Sequence, residues 1–514
     1  MLIKTYGGAV TGIDAITVTI EACKQAGIGL NLVGLPDTAV KESCQRVQAA
    51  ITNIGLEFPR AAMVVNLAPA DVKKEGAAYD LPIALAVLAG GDVLQAPDLH
   101  RYYIMGELGL DGSVRPIRGA LPMAIRARQE GFRFMIVPEA NAREAAVVDR
   151  IKVFGVENLR QVIDHLTGAA PLAETVVDTR AEFARAQADF DLDFADVRGQ
   201  ENVKRALEVA CAGGHNILMA GPPGSGKSMM AKRIPSIMPP LTLAEALETT
   251  KIHSVAGKLG RGSMLMTRRP FRAPHHTVSP VALVGGGSNP MPGEISLAHN
   301  GVLHLDEFPE FSRSVLEVLR QPLEDRRILV SRAKYTVEYP AGFMLVASMN
   351  PCPCGYYTHP TRTCTCSPGA VAKYKNRISG PLLDRIDMQI EIQPVPFDQL
   401  ADGKPGESSA QIRQRVVAAR AIQAERFRDI PGVYCNAQMT SNMIRRFCAL
   451  DENSARLLHN AMDRYDMSAR AYDRILRVAR TIADLHSCPD IHPGHLSEAI
   501  SYRALDRSTW GSAL

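Results

Sequence analysis

The residues with the clearest chemistry lie in the run GPPGSGKS, which has the GxxxxGKS spacing of a phosphate-binding loop, or P-loop. An apolar run, Ile217 to Ala220, precedes it and a helix-compatible run follows, which is the context that such a loop requires. Glycines let backbone N–H groups wrap phosphates, the lysine neutralises the β- and γ-phosphates, and the serine binds Mg²⁺. The predicted nucleotide-binding residues are Gly221, Pro222, Pro223, Gly224, Ser225, Gly226, Lys227 and Ser228.

Two further strand ends supply polar side chains to the same chemistry. The apolar run GVLHLDEF ends in Asp306 and Glu307, and FMLVASMN ends in Asn350. An acid beside a P-loop can hold Mg²⁺ through water while its neighbour polarises the attacking water, and an amide can help to orient that water. Because ligands bind at the carboxyl ends of the strands in α/β sheets, the sequence predicts one ATP site there, with Lys227, Asp306, Glu307 and Asn350 as catalytic residues.

Four of the ten cysteines, Cys352, Cys354, Cys364 and Cys366, form two CxC pairs directly after that third strand. Thiolates bind Zn²⁺ tetrahedrally, and four local ligands leave no position open for catalysis. We therefore expect a structural zinc site in a small segment without a core of its own. Free thiols and a redox pair are the alternatives, since CxxC is the commoner zinc spacing.

Folded domains must position these motifs, and the length and composition of the chain limit how many domains there are and of what class. The chain has 514 residues, of which 46% are hydrophobic and 22% charged, so we expect two to four domains. With a net charge of only +4, any nucleic-acid surface must be local. The start lacks a signal-peptide core, and no apolar run is long enough to span a bilayer. Cytoplasm is the expected location, without a membrane partner, and disulfides are rare there.

The pattern of β-rich, helical and acidic runs changes along the chain, which predicts an α/β fold in four parts. Residues 1–168 alternate β-rich and helical runs, as one α/β domain would. Residues 169–193 form an acidic linker, and 194–395 hold a second α/β pattern that contains the P-loop. Residues 396–514 carry apolar residues at helical spacing, which predicts a helical C-terminal domain.

Taken together, the motifs resemble a known family. GPPGSGKS, LHLDEF and SMNPCPCG resemble the Walker A, Walker B and sensor 1 motifs of AAA+ ATPases. With LPDTAVKES, FRAPHHTVS and SGPLLDRID, essentially the whole chain resembles the ComM/YifB family of Mg-chelatase-like AAA+ proteins. The resemblance implies an AAA+ P-loop α/β module with a C-terminal helical lid. It also implies a homo-hexameric, ATP-driven motor that acts on single-stranded and branched double-stranded DNA and drives branch migration in natural transformation or recombination.

Five further residues receive roles from this resemblance. Arg385 corresponds to the arginine finger that acts on a neighbouring subunit's ATP, and Arg470 to sensor 2. In related hexameric motors, an insert between the Walker motifs and a hairpin before sensor 1 face the central channel. Here the insert includes Arg272, and the run RRILVSRAKYTVEYP predicts a hairpin with Arg332 and Lys334 at its tip. Cationic groups at these places would grip DNA phosphates without reading sequence.

The amino-terminal domain resembles the proteolytic domain of Lon protease, a ribosomal-S5-like fold. There, one motif carries a nucleophilic serine and a second carries a lysine base. The comparable positions fall around Ala77–Asp80 and Ala120–Pro122, which contain neither residue, so no peptidase activity is expected. A role in DNA binding or assembly fits better, with a candidate basic face of Arg115, Arg118, Arg126 and Arg128.

An ATP-driven DNA motor is therefore the predicted function, and two other classes stay open. One is a Mg-chelatase-type ATPase subunit, which the AAA+ module alone does not exclude. The other is an AAA+ chaperone that remodels proteins, which the near-neutral charge permits. His275 and His276 in the insert are more typical of packing or hydrogen bonding than of metal ligation.

Overall fold

The computed structural model describes residues 2–74, 76–186, 190–260, 263–287, 290–332, 335–357, 359–395, 406–465 and 467–503. Its strands are β1 (Leu2–Thr11), β2 (Asp14–Gln25), β3 (Gly29–Val33), β4 (Ala62–Ala68), β5 (Tyr102–Ile104), β6 (Glu107–Leu108), β7 (Val114–Arg115), β8 (Phe134–Pro138), β9 (Lys152–Val156), β10 (Ile217–Ala220), β11 (Phe271–Arg272), β12 (Gly285–Gly286), β13 (Met291–Pro292), β14 (Val302–Leu305), β15 (Arg327–Arg332), β16 (Tyr335–Pro340), β17 (Met344–Met349) and β18 (Met388–Glu391). Its helices are α1 (Thr38–Asn53), α2 (Asp80–Gly90), α3 (Ala120–Gln129), α4 (Glu139–Ala145), α5 (Leu159–Thr167), α6 (Thr179–Ala186), α7 (Glu201–Gly213), α8 (Lys227–Ile237), α9 (Leu243–Val255), α10 (Pro280–Val284), α11 (Glu294–Leu297), α12 (Arg313–Val318), α13 (Arg320–Asp325), α14 (Pro368–Lys375), α15 (Gly380–Leu383), α16 (Ser409–Arg426), α17 (Ser441–Phe447), α18 (Glu452–Tyr465), α19 (Ala469–Leu485) and α20 (Pro493–Ser501).

The first of two compact units comprises residues 1–186 together with 243–267. Its seven-stranded sheet has the order β3-β4-β2-β1-β5-β8-β9. Strand β2 runs antiparallel to both of its neighbours, β1 and β4, and all the other neighbouring pairs are parallel. Every residue of α2 is buried. Its continuous apolar run, LPIALAVLAG, is thus a core helix, because a helix that is hydrophobic all round must be covered on all sides.

The segment Leu243–Thr267 belongs to this first unit, although it follows the P-loop helix in the chain. The Ser254 hydroxyl donates to the Glu144 carboxylate, the Ser254 carbonyl accepts from the Gly119 N–H at 3.3 Å, and Leu247 packs against the unit's core. Sequence boundaries placed this segment within the 194–395 module. The two boundaries differ because α9 is held by contacts with residues more than 100 positions away in the sequence. The pattern of apolar and polar residues within a short stretch does not reveal such contacts.

The second unit comprises residues 187–242 and 268–514 and contains a five-stranded parallel sheet. The strand order is β11-β14-β17-β10-β18, and β10, β14 and β17 are buried along their whole length. Near-continuous apolar strands are typical of parallel sheets covered on both faces. All five strands point the same way, so the residues that follow β10, β14 and β17 meet at one edge.

The carboxyl-terminal part of this unit is helical, as predicted. Helix α16 begins with a capping box made by Ser408 and Gln411 and packs against α7, α8 and α19. Within this helical part, the buried Asp484 carboxylate accepts hydrogen bonds from Arg426 at 2.7 Å, Asn436 at 2.8 Å and Arg480 at 3.1 Å. In the part of the chain that the structure describes, no helix is long and apolar enough to cross a bilayer.

Candidate nucleotide-binding site

The P-loop connects the buried strand β10 to helix α8, which begins at Lys227. Gly224 and Gly226 have φ angles of +79° and +86°, a left-handed backbone that favours glycine. The Ser225 hydroxyl donates to the Pro222 carbonyl at 2.8 Å, which holds the turn closed. The sequence therefore forms the loop locally, and it leads into a helix N-terminus, where backbone N–H groups attract phosphate.

Lys227 is almost completely buried inside this loop, with 8% of its surface exposed. Its Nζ donates to the carbonyl oxygens of Gly221 at 2.7 Å and Pro222 at 2.9 Å, and to Asn350 Oδ1 at 3.3 Å. Burial lowers the pKa of Lys227 to about 8, while the nearby Asp306 carboxylate partly opposes the shift. The ammonium is thus held among the loop's own atoms and titrates close to physiological pH.

Asp306 follows β14 and is the most firmly held carboxylate of the site. Its two oxygens accept from the Ser228 hydroxyl at 2.5 Å and the Ser348 hydroxyl at 2.6 Å, and the Glu307 N–H donates to it at 3.0 Å. Burial alone would raise the pKa of Asp306, but the hydrogen bonds from the two serines outweigh it and lower the pKa. Asp306 is therefore charged at neutral pH and fixed in orientation.

Ser348 is a site residue that sequence reasoning missed. It lies on the fully buried strand β17, two positions before Asn350, so both side chains point to the same face of the sheet. Its oxygen lies 3.1 Å from His304 Nε2 on the neighbouring strand β14. The signal was a lone serine within the apolar run MLVASM, since a buried hydroxyl requires a partner.

Glu307, the next residue after Asp306, is held far more loosely. Its φ of +54° puts the backbone in the left-handed region, and 55% of its side chain is exposed. Glu307 Oε2 lies 3.1 Å from His276 Nδ1, and the His276 ring packs at a tilt against His275, with 4.1 Å between the ring centroids. The histidine pair thus packs and hydrogen-bonds, and it brings the Gly-rich insert to the second acidic residue.

These contacts bring together the P-loop, Asp306, Glu307 and Asn350 at one sheet edge. The oxygens of Ser228 and Asp306 lie 2.5 Å apart, so the two can reach the same hard cation, and Mg²⁺ prefers oxygen ligands. The oxygens of Ser228 and Asp306 therefore fit a hydrated Mg²⁺ that accompanies a nucleoside triphosphate. Lys227 and the N-terminus of α8 supply the positive potential that the phosphates need.

Of the two arginines assigned by motif, Arg385 lies away from this cluster. Arg385 precedes β18, whose first residue Met388 pairs with Ile217 at the start of β10, so it lies at the sheet edge opposite the P-loop. It is 6% exposed and forms a 2.6 Å ion pair with Glu324. Arg470 lies exposed in the first turn of α19.

The candidate DNA contacts are only partly described. Strands β15 and β16 form the predicted antiparallel hairpin, with Arg332 opposite Tyr335. Lys334 lies outside the described residues, and so does the side chain of Arg332. The Arg272 guanidinium makes a bidentate ion pair with Glu294 at 2.6 and 2.7 Å, so it is not a free cationic tip.

The four predicted zinc ligands do come together. The Sγ atoms of Cys352, Cys354, Cys364 and Cys366 all lie within 4.8 Å of one another, and three of the pairs are separated by 3.3 to 3.7 Å. These distances exceed a disulfide bond of about 2.05 Å. Four thiolates at Zn–S distances of about 2.3 Å lie roughly 3.8 Å apart, so the cluster fits one tetrahedral Zn²⁺.

The amino-terminal unit has no serine or lysine at the positions where the Lon-like motifs place them. Ala77–Asp80 lead into the buried helix α2, and Ala120–Pro122 begin α3. The Ser43 hydroxyl donates to Asp80, which also pairs with Arg46 at 2.7 Å, so this serine is structural. Three arginines of the candidate basic face form ion pairs: Arg115 with Glu107, Arg126 with Glu130 and Arg128 with Asp149. That face is therefore much less cationic than its sequence suggests.

Comparisons with known proteins agree with this architecture. Family models described as magnesium chelatase subunit ChlI match residues 193–400, 18–141 and, for its C-terminal part, 406–503. The chain is 45% identical to Competence protein ComM of Haemophilus influenzae, over 98% of this chain and 97% of that protein. It is 44% identical to the uncharacterised protein YifB of Salmonella typhimurium, over 97% of this chain and 96% of that protein.

A weaker likeness concerns a third of the chain. The chain is 24% identical to the Lon protease of Rickettsia prowazekii over 185 residues, which are 33% of this chain and 23% of that protease. This agrees with a Lon-like α/β domain beside the AAA+ module. Identity of 45% over nearly the full length, together with the three family models, establishes that the chain belongs to the ComM/YifB family of Mg-chelatase-like AAA+ proteins.

Proposed function

We propose that the protein is an ATP-driven DNA motor that works as a homo-hexamer and promotes branch migration and the integration of single-stranded DNA. The observation that supports ATP hydrolysis is the hydrogen bond from the Ser228 hydroxyl to the Asp306 carboxylate. It joins the P-loop to the acidic strand end, with Glu307 as the next residue. The DNA part is supported by the likeness to a relative named a competence protein.

The roles of the residues follow from their positions. Lys227 would move from the loop carbonyls to the β- and γ-phosphates, while Ser228 and Asp306 would hold Mg²⁺. Mg²⁺ there would neutralise charge that develops on the phosphates. Glu307 would accept a hydrogen bond from the attacking water, and Asn350, 3.3 Å from Lys227, would help to orient it.

Arg385 is proposed to act on the ATP of a neighbouring subunit. Its place at the sheet edge opposite its own P-loop supports action in trans, as does its partner Glu324, which is 48% exposed and free to exchange the guanidinium. Arg470 is proposed as sensor 2, and its exposure at the start of α19 leaves it accessible to nucleotide.

The trans assignment makes a prediction about mixed assemblies. Arg385→Ala retains an intact P-loop and Lys227→Ala retains an intact finger, so each alone should be inactive. Mixing them should create interfaces that contain both intact parts and restore measurable ATP hydrolysis. Activity that never rises above either variant alone would rule out the trans finger.

The proposed function is tested by steady-state ATP hydrolysis without DNA and with single strands, duplex or a three-strand branched substrate, with strand exchange scored in parallel. Glu307→Gln is the matched control, since it keeps the loop and the Asp306 contacts but removes the base. We expect hydrolysis to rise with DNA, and exchange to be lost in the control.

A second candidate function is a chelatase-type ATPase subunit, which the family-model description favours. It predicts ATP hydrolysis that is indifferent to every DNA substrate. A protein-remodelling role would give the same indifference, and hydrolysis stimulated by unfolded protein would identify it. Such indifference would therefore overturn the DNA motor while leaving the ATP site intact.

A further inference from the structure

The cysteine segment, residues 352–366, lies directly against the P-loop. At Gly355, which has a φ of +84°, an added Cβ would lie only 2.5 Å from Cδ of Pro223. No real Cβ approaches a neighbour so closely, and a proline ring cannot turn aside as a flexible side chain would. Gly355 thus allows a backbone approach between the cysteine segment and the phosphate-binding turn.

The segment is also joined to the rest of the ATP site. It begins two residues after Asn350, which accepts from Lys227. Tyr357, whose N–H donates to Cys352 Sγ at 3.3 Å within the segment, joins it to α14, because its ring lies 4.9 Å from the Lys375 ammonium. The segment therefore fills the space between the P-loop, the third strand end and α14.

Within itself, however, the segment buries little side-chain surface. Among its described residues none belongs to a helix or a strand, and Cys352 and Gly355 alone are buried. Such a stretch cannot bury enough apolar surface to offset the entropy of ordering it. Four sulfur ligands within 4.8 Å supply what is missing, because a bound Zn²⁺ contributes folding free energy and neutralises clustered thiolates.

We propose that Cys352, Cys354, Cys364 and Cys366 hold one Zn²⁺, and that the zinc-bound segment braces the P-loop through Gly355 and Pro223, so that zinc occupancy sets the affinity for ATP. This rests on the proposed ATP site. The zinc site is purely structural, because the protein supplies all four ligands. Its effect reaches the nucleotide through the position of the loop, where a small displacement weakens phosphate contacts.

The test uses the full-length chain and measures zinc content and ATP affinity separately. Wild-type protein should contain one zinc per chain by elemental analysis. Stripping it with a thiol-directed mercurial and a chelator, then removing the mercurial with excess thiol, should weaken binding of a fluorescent ATP analogue by about tenfold. Adding Zn²⁺ should restore it. Purified protein without zinc, or stripped protein with unchanged affinity, would overturn the proposal.

Gly355→Ala separates the brace from the metal. It should keep zinc but lose about tenfold in ATP affinity, because its Cβ must displace Pro223. Gly432→Ala is the matched control, since Gly432 has a similar φ of +79° but an added Cβ there meets nothing within 4 Å. A Gly355→Ala protein with full zinc and wild-type affinity would refute the brace.

A third measurement covers the case in which Gly355→Ala does not fold. Hydrogen exchange of residues 221–228 in wild-type protein should be slower with zinc than after stripping, and equal exchange would refute the brace. Failure of the proposed ATP site looks different, because zinc-loaded wild-type protein would then bind no ATP at all. Failure of the DNA motor alone would leave ATP binding and its dependence on zinc unchanged.

Discussion

Raising the pH from 7.5 to 9.5 should weaken ATP binding, because the P-loop lysine loses its charge in that interval. Burial lowers the pKa of Lys227 to about 8 in the protein alone, against the opposing effect of the Asp306 carboxylate. Phosphates placed against its ammonium would favour the charged form and raise the pKa in the complex. Binding is therefore coupled to proton uptake near and above pH 8, so affinity is greatest well below pH 8 and declines as the pH rises through it.

The size of the effect follows from the protonated fraction of Lys227. With a pKa of about 8, that fraction falls from ~0.76 at pH 7.5 to ~0.03 at pH 9.5, so the dissociation constant should rise about 25-fold, or about 1.9 kcal/mol. A phosphate monoester titrates near pH 6, so ATP itself keeps its charge across this window. An unperturbed lysine, with a pKa of about 10.4, would change affinity by less than about 20%.

The assay is equilibrium binding of a fluorescent ATP analogue at half-unit pH steps and constant ionic strength. Lys227→Arg is the matched control, because a guanidinium keeps its charge throughout this range. The variant should bind less tightly, since its planar group fits the carbonyl cradle differently, but with little pH dependence. A flat wild-type profile between pH 7.5 and 9.5 would refute the reasoning, as would equal slopes for both proteins.

Two other residues give predictions of different kinds. Ser348→Ala removes a hydrogen bond that lowers the pKa of Asp306 and fixes the orientation of its carboxylate. Half-maximal ATP hydrolysis by this variant should therefore require about tenfold more Mg²⁺. An unchanged Mg²⁺ requirement would contradict that role of Ser348. Asp484→Ala leaves two guanidinium groups without their buried carboxylate and should lower the free energy of unfolding of the second unit by about 3–5 kcal/mol, measured by denaturant titration. A loss below about 1 kcal/mol would show that water or other acceptors replace the carboxylate.

Much of the site could be predicted from sequence because its determinants are local. The P-loop lies within eight residues, and its glycine positions, flanking strand and following helix all belong to one short stretch. The meeting of Ser228, Asp306 and Asn350 needed one further rule, that parallel strands end at the same edge. The observed order, with β17 between β14 and β10, obeys it.

What could not be predicted depends on contacts between distant parts of the chain. Leu243–Thr267 belongs to the first unit through contacts such as that between Ser254 and Glu144, 110 residues apart. The pairing of Arg272 with Glu294 and of Arg385 with Glu324 likewise depends on three-dimensional placement. A sequence shows which residues are charged, but not which charges the chain has already neutralised.

The two adjacent acids of the site show why such placement matters for chemistry. Asp306 has three hydrogen bonds at 2.5 to 3.0 Å, whereas the Glu307 side chain contacts His276 Nδ1 at 3.1 Å and is 55% exposed. A metal ligand is most effective when neighbouring groups fix its orientation in advance. A residue that activates water must instead change partners during each turnover, and a weakly held, exposed carboxylate can do so. Glu307 also differs from an ordinary strand residue in its left-handed backbone, and the contrast between the two carboxylates is what one short motif would need to supply both proposed roles.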